Sequence, residues 1–154
     1  MRERRKTLFT GKEVIRDMII DGFKERKVSC SNSAADICYQ ILKNECAVDR
    51  DKEHMWSIGL NSQNKVKYVE LVTLGLLNQT IISPRELFRR AIRKGVLSVI
   101  ICHNHPSGNT KASPEDKKKT SELAEAGKII GIQLLDHIII GKSGHYSFSD
   151  DGLI

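Results

Sequence analysis

Apolar positions recur along this chain first at helical spacing and later at strand spacing. Between Glu13 and Lys27, Val14, Ile15, Met18, Ile19 and Phe23 share one face, with Arg16, Asp17, Lys24 and Glu25 between them. That pattern predicts an amphipathic helix, which Gly22 weakens. A second helix is expected from Ala34 to Glu45, with Ser33 as its N-cap and Asp36 three residues on. Its apolar face is Ala34, Ile37, Cys38, Ile41 and Leu42.

The period then shortens. Met55–Leu60 and Lys65–Leu74 read as strands joined by a turn at Asn61–Asn64, and Thr80–Ile82 as a short third strand. Ser83-Pro84-Arg85-Glu86 opens a helix that runs to Lys94 and stops at Gly95: a cap, a proline in the first turn and an early acid. Val96–Cys102 is a near-continuous apolar run, as a central strand requires. A loop from His103 to Ala112 follows. Ser113-Pro114-Glu115-Asp116 opens a helix that ends at Gly131, and Ile132–Ile140 is a further buried strand. A turn at Gly141–Gly144 leads to a last short strand, Tyr146–Phe148. The fold class is α/β, a mixed sheet flanked by helices. The expected division is residues 1–30, a basic segment and amphipathic helix, and residues 31–154, the domain proper.

Size and composition fit this picture. The chain has 154 residues, 40% hydrophobic and 29% charged, enough for one hydrophobic core. No run approaches the roughly 20 apolar residues of a membrane span, and no secretory h-region follows the basic start, so a cytoplasmic protein is expected. None of Cys30, Cys38, Cys46 and Cys102 forms a C-x-x-C pair, and all four read as small core residues. Cys102 precedes His103 directly, so the two point to opposite faces of a strand. The net charge of +6 comes in part from Arg2, Arg4, Arg5 and Lys6, and from Lys117, Lys118 and Lys119. It admits a nucleic-acid partner, although few aromatic residues are available for base stacking.

Chemistry concentrates in His103-Asn104-His105-Pro106-Ser107-Gly108, then Ser113 and Asp116. Two histidines two residues apart at a strand end present their rings on one side. Asp116, in the first turn of the following helix, can join them as a third metal ligand. Three protein ligands leave a fourth position for water, the arrangement of catalytic rather than structural zinc. Two bland readings stand beside this one. Ser113 and Asp116 form an S-x-x-D capping signature, and His-x-His alone is common in loops.

The spacing His103, His105, Ser113, Asp116 resembles the JAMM (MPN+) metalloprotease motif. The longer form His-Asn-His-Pro-Ser-Gly resembles the RadC family of JAMM-like bacterial proteins. The likeness runs from about Ser33 to Ile154 and takes in Glu53-His54, Pro84-Arg85-Glu86, Asp136–Ile140 and Tyr146–Phe148. It implies a three-layer, cytidine-deaminase-like arrangement, a Zn2+ ion on His103, His105 and Asp116, and hydrolysis of a peptide or isopeptide bond. It also implies a glutamate before an early strand as general base and acid. Glu86 already sits in its own helix cap, so the role falls to Glu53. Ser113 would support the oxyanion. Asn104 departs from the Ser or Thr of eukaryotic JAMM proteases and agrees with RadC-like chains. His137 reads as a packed strand histidine or a partner of a ligand, and His54 and His145 as surface or packing residues. RadC-like proteins are commonly linked to DNA repair, which keeps a DNA-associated function as the alternative. Longer family members carry an N-terminal helix-hairpin-helix-like segment, so a short, stand-alone form is expected. A zinc deaminase is excluded by the lack of a His-x-Glu with a following Pro-Cys-x-x-Cys.

Overall fold

The computed structural model describes residues 9–10, 13–14, 19–75 and 82–154. In chain order the elements are β1 (Phe9–Thr10), β2 (Glu13–Val14), α1 (Ser31–Lys43), α2 (Ala47–Arg50), β3 (Glu53–Leu60) and β4 (Val66–Gly75). Then come α3 (Pro84–Lys94), β5 (Ser98–Asn104), α4 (Pro114–Ile130), β6 (Gln133–Ile140) and β7 (His145–Ser147). Strands β1 and β2 form a small antiparallel pair. The other five make one sheet in the order β4-β3-β5-β6-β7. Only β5 and β6 run parallel, so the sheet is mixed, as expected.

Helices cover both faces. On one side α1 lays Ala34, Ile37, Cys38 and Ile41 onto Trp56, Ile58, Cys102 and Ile138. On the other, α3 and α4 contribute Leu87, Phe88, Ala91 and Leu123 to a core with Met55, Val99, Ile101 and Leu134. Strand β5 lies in the middle with all seven residues buried, which explains its unbroken apolar run. Two of the three helix caps read from the sequence, those of α3 and α4, hold. The Ser83 hydroxyl accepts the Glu86 N–H at 3.3 Å, and the Ser113 hydroxyl accepts the Asp116 N–H at 3.0 Å.

Four expectations need correction. The helix over Glu13–Lys27 is not formed among the described residues; residues 15–18 lie outside them. Glu13–Val14 is strand, and residues 19–28 follow the outer edge of β4. There Ile20 donates to the Val69 carbonyl and Val66 to the Arg26 carbonyl, at 2.8 and 2.9 Å. A bare sheet edge offers unpaired backbone groups, and pairing them outweighs a weak helical period. Gly22 and Glu25, with φ of 100° and 68°, bend the segment out of any helix. The N-cap of α1 is Cys30, and Ser33 sits inside the first turn, where its hydroxyl takes the Cys30 N–H at 3.2 Å. Cys38 and Cys102 are core residues, whereas Cys30 and Cys46 are exposed. Of the third strand, Thr80 and Ile81 lie outside the described residues, and Ile82 is a buried core residue in no strand.

Candidate metal centre

Strand β5 sets the first two groups of the site. Alternation sends Cys102 into the α1-side core and His103 to the α4 side. Just past the strand, the His105 N–H reaches the Ile140 carbonyl at 3.0 Å and continues the pairing with β6. Both imidazoles therefore leave on the same side. The third group comes from α4. Asp116 is locked in a reciprocal cap, its Oδ2 accepting the Ser113 N–H at 2.8 Å while its own N–H goes to the Ser113 hydroxyl.

The three side chains converge. His103 Nε2 and His105 Nε2 are 2.9 Å apart. Asp116 Oδ1 lies 3.5 Å from the first, and Oδ2 lies 3.6 Å from the second. One ligand atom from each falls within 4.8 Å of the others, and the three form a group able to hold a metal ion.

The surrounding hydrogen bonds favour one arrangement of the ring protons. His105 Nδ1 lies 2.7 Å from the Asn109 carbonyl, a pure acceptor, so Nδ1 carries a proton and Nε2 is the nitrogen left to face the site. His103 Nδ1 contacts His137 Nε2 at 2.7 Å, and His137 Nδ1 contacts the Thr120 hydroxyl at 2.6 Å. That hydroxyl donates its single proton to the Asp116 carbonyl at 2.6 Å. It must then accept from His137 Nδ1, which leaves His137 Nε2 to accept from His103 Nδ1. Both Nε2 lone pairs thus face each other at a distance where two acceptors require a cation or a proton between them. This donor set fits a metal.

Electrostatics agree. Burial holds His103 at about 4 and pushes His137 well below the usual imidazole range, so both are neutral near pH 7. The Asp116 carboxylate, with Oδ2 3.6 Å from Nε2, raises His105 above its ordinary value, so the position favours a bound cation, whether proton or metal. Burial alone would raise the Asp116 carboxyl, but His105, His103 and Ser113 outweigh it and hold the carboxyl well below the usual range.

Glu53 is the first residue of β3. Met55 pairs directly with His103 in the β3–β5 ladder, so Glu53, two residues back, shares their face and lies at the level of His105. Its charge contributes to the raised His105 value. Glu86 sits at the start of α3 with its carboxylate 3.7 Å from Arg85 Nε and 3.8 Å from Arg89. His54 is fully buried and stacks on Trp56 at 5.1 Å. His145 is half-buried, with Nε2 3.3 Å from the Ser31 hydroxyl. Arg2, Arg4, Arg5 and Lys6 lie outside the described residues, and Lys119 pairs with Glu122 at 2.7 Å.

Three supporting groups were missed in the sequence. Asn104 turns away from the two histidines and clasps β3. Its Oδ1 accepts the His54 N–H at 2.6 Å and its Nδ2 donates to the Lys52 carbonyl at 3.0 Å, so it grips the chain on both sides of Glu53. Thr120 had a legible signal, since it is the polar member of the buried stripe Thr120, Leu123, Gly127 on α4. The Asn109 carbonyl had none, because backbone acceptors are invisible to residue type.

These features define an α/β domain with a three-residue metal-type centre at the ends of two parallel strands. The model of the RadC-like JAB domain matches residues 29–153, and the chain belongs to that family. It is 53% identical over 123 residues to a UPF0758 protein of Clostridium botulinum, covering 80% of this chain and 53% of that one. A UPF0758 protein of Desulforudis audaxviator is 48% identical over 103 residues, covering 67% of this chain and 45% of that relative. The chain therefore spans about half the length of the curated relatives it matches. No helix among the described residues is long and apolar enough to cross a membrane.

Proposed function

We propose that this chain is a zinc-dependent hydrolase of peptide or isopeptide bonds, acting in the cytoplasm. The observation that carries the reading is the pair of Nε2 lone pairs facing each other beside the Asp116 carboxylate. Nitrogen and oxygen donors of this kind suit zinc, and three of them leave one position open. A zinc ion held there supplies a Lewis acid and lowers the pKa of a water to about 7.

The remaining work belongs to the chain's own residues. Glu53 Oε takes the proton from the attacking water and returns it to the leaving nitrogen. The Ser113 hydroxyl accepts the Asp116 N–H, which leaves its own proton free to donate to charge developing on the carbonyl oxygen. His103 and His105 would offer Nε2 as the donor atom because their Nδ1 protons are already committed. Asn104 keeps Glu53 at its place on β3.

The test joins zinc content with hydrolysis of a panel of peptides and isopeptide-linked peptides. Glu53→Gln is expected to retain zinc and lose about 10²–10⁴-fold in rate. Loss of zinc in that variant, or full activity, would contradict the role given to Glu53.

A further inference from the structure

The proton order around His103 has a consequence of its own. His103 can present a lone pair to a metal only if its proton sits on Nδ1. The partner of that proton is a third histidine, whose tautomer is itself variable. Something must therefore fix His137. Its ring is fully enclosed and stacks on Phe148 with centroids 4.6 Å apart and planes 7° apart, which fixes the ring plane but not the proton. Its backbone is held as well, since its N–H goes to Asp136 Oδ1 at 2.7 Å. The group that selects the proton is Thr120, one helical turn past Asp116. Its hydroxyl is spent on the Asp116 carbonyl, so only its lone pairs face His137.

We infer that Thr120 and His137 are positioning residues that set the tautomer of His103, so that the helix carrying Asp116 also dictates which nitrogen His103 offers. The circuit closes on itself: Asp116 carbonyl, Thr120 hydroxyl, His137, His103, and back to the Asp116 carboxylate at 3.5 Å. It rests on the metal reading above. Without the Thr120 hydroxyl, His137 Nδ1–H has no acceptor. Its proton then moves to Nε2 and points at His103 Nδ1, which forces the His103 proton onto Nε2, the metal-facing nitrogen. Partners of ligating histidines typically change metal affinity 10–100-fold when lost.

The experiment compares wild type, Thr120→Val and Thr120→Ser as full chains. Nitrogen NMR of the metal-free proteins reads the His103 tautomer, and titration with Zn2+ against a competing chelator reads affinity. In wild type and Thr120→Ser the proton is expected on Nδ1. In Thr120→Val it is expected on Nε2, with Zn2+ affinity lowered about 10–100-fold and thermal stability close to wild type. A proton on Nε2 in the wild type overturns the inference. So does equal loss of affinity in the Val and Ser variants, which would mark a packing role. A wild type with the expected tautomer and no affinity for Zn2+ overturns the metal reading instead.

Discussion

Asn104 shows how a single residue ties the site together. It lies between two histidines, but its carboxamide faces the other way and holds Lys52 and His54. Both bonds need an amide, with one acceptor and one donor on the same side chain. Asn104→Leu removes the side-chain acceptor of the His54 N–H, while the Lys52 carbonyl keeps its contact with His54 Nδ1 at 2.8 Å, and a buried polar group that loses its partner costs about 1–3 kcal/mol. Denaturant unfolding should show a loss of that order. Zinc content should stay near wild type, because the ligands are untouched. Asn104→Asp keeps the acceptor but sets a second acceptor oxygen against the Lys52 carbonyl in a buried position, so its loss should be at least as large.

At the scale of elements, two junctions hold the layers in register. Arg90 of α3 reaches Glu70 of β4 at 2.9 Å, both side chains almost wholly buried. Glu70→Ala leaves a guanidinium in the core without this carboxylate, and breaking such a pair typically costs about 3–5 kcal/mol. Thermal unfolding will show whether the loss is of that size. The second junction is the loop after β5. Gly108, with φ of 86°, accepts the Lys142 N–H at 3.2 Å, and a side-chain carbon on Gly141 would meet the Gly108 carbonyl oxygen at 2.4 Å. Gly141→Ala must therefore push the loop outward, and with it the Asn109 carbonyl that holds His105. The expected result is weaker zinc binding in chelator competition.

The elements differed in how legible they were. Helices α3 and α4 could be read nearly to the residue, since serine caps, prolines and terminal glycines act locally. Strand β5 was legible because burial on both faces leaves an unbroken apolar run. The segment before α1 was not. Its helical period is a local signal, whereas its actual partner, the edge of β4, lies 40 or more residues on in sequence. Spacing made the three metal-type residues candidates and the RadC-like resemblance singled them out, but the circuit through Thr120 and His137 joins α4 to β6 and exists only in the folded chain.

For the whole molecule, the site is a clasp between layers. His103 and His105 come from the sheet, Asp116 from α4, and Glu53 from the neighbouring strand. A ligand that binds only this folded arrangement stabilises it by mass action, about 2.7 kcal/mol at one hundred times its dissociation constant. Removing zinc with a chelator should therefore lower the unfolding temperature, and adding it back should restore it. The most direct measurement is the zinc content of the chain purified without chelator, beside His103→Ala. About one zinc per wild-type chain is expected, the stoichiometry of a single three-ligand site, and none in the variant. A wild type that carries no zinc and takes up none on titration would contradict it.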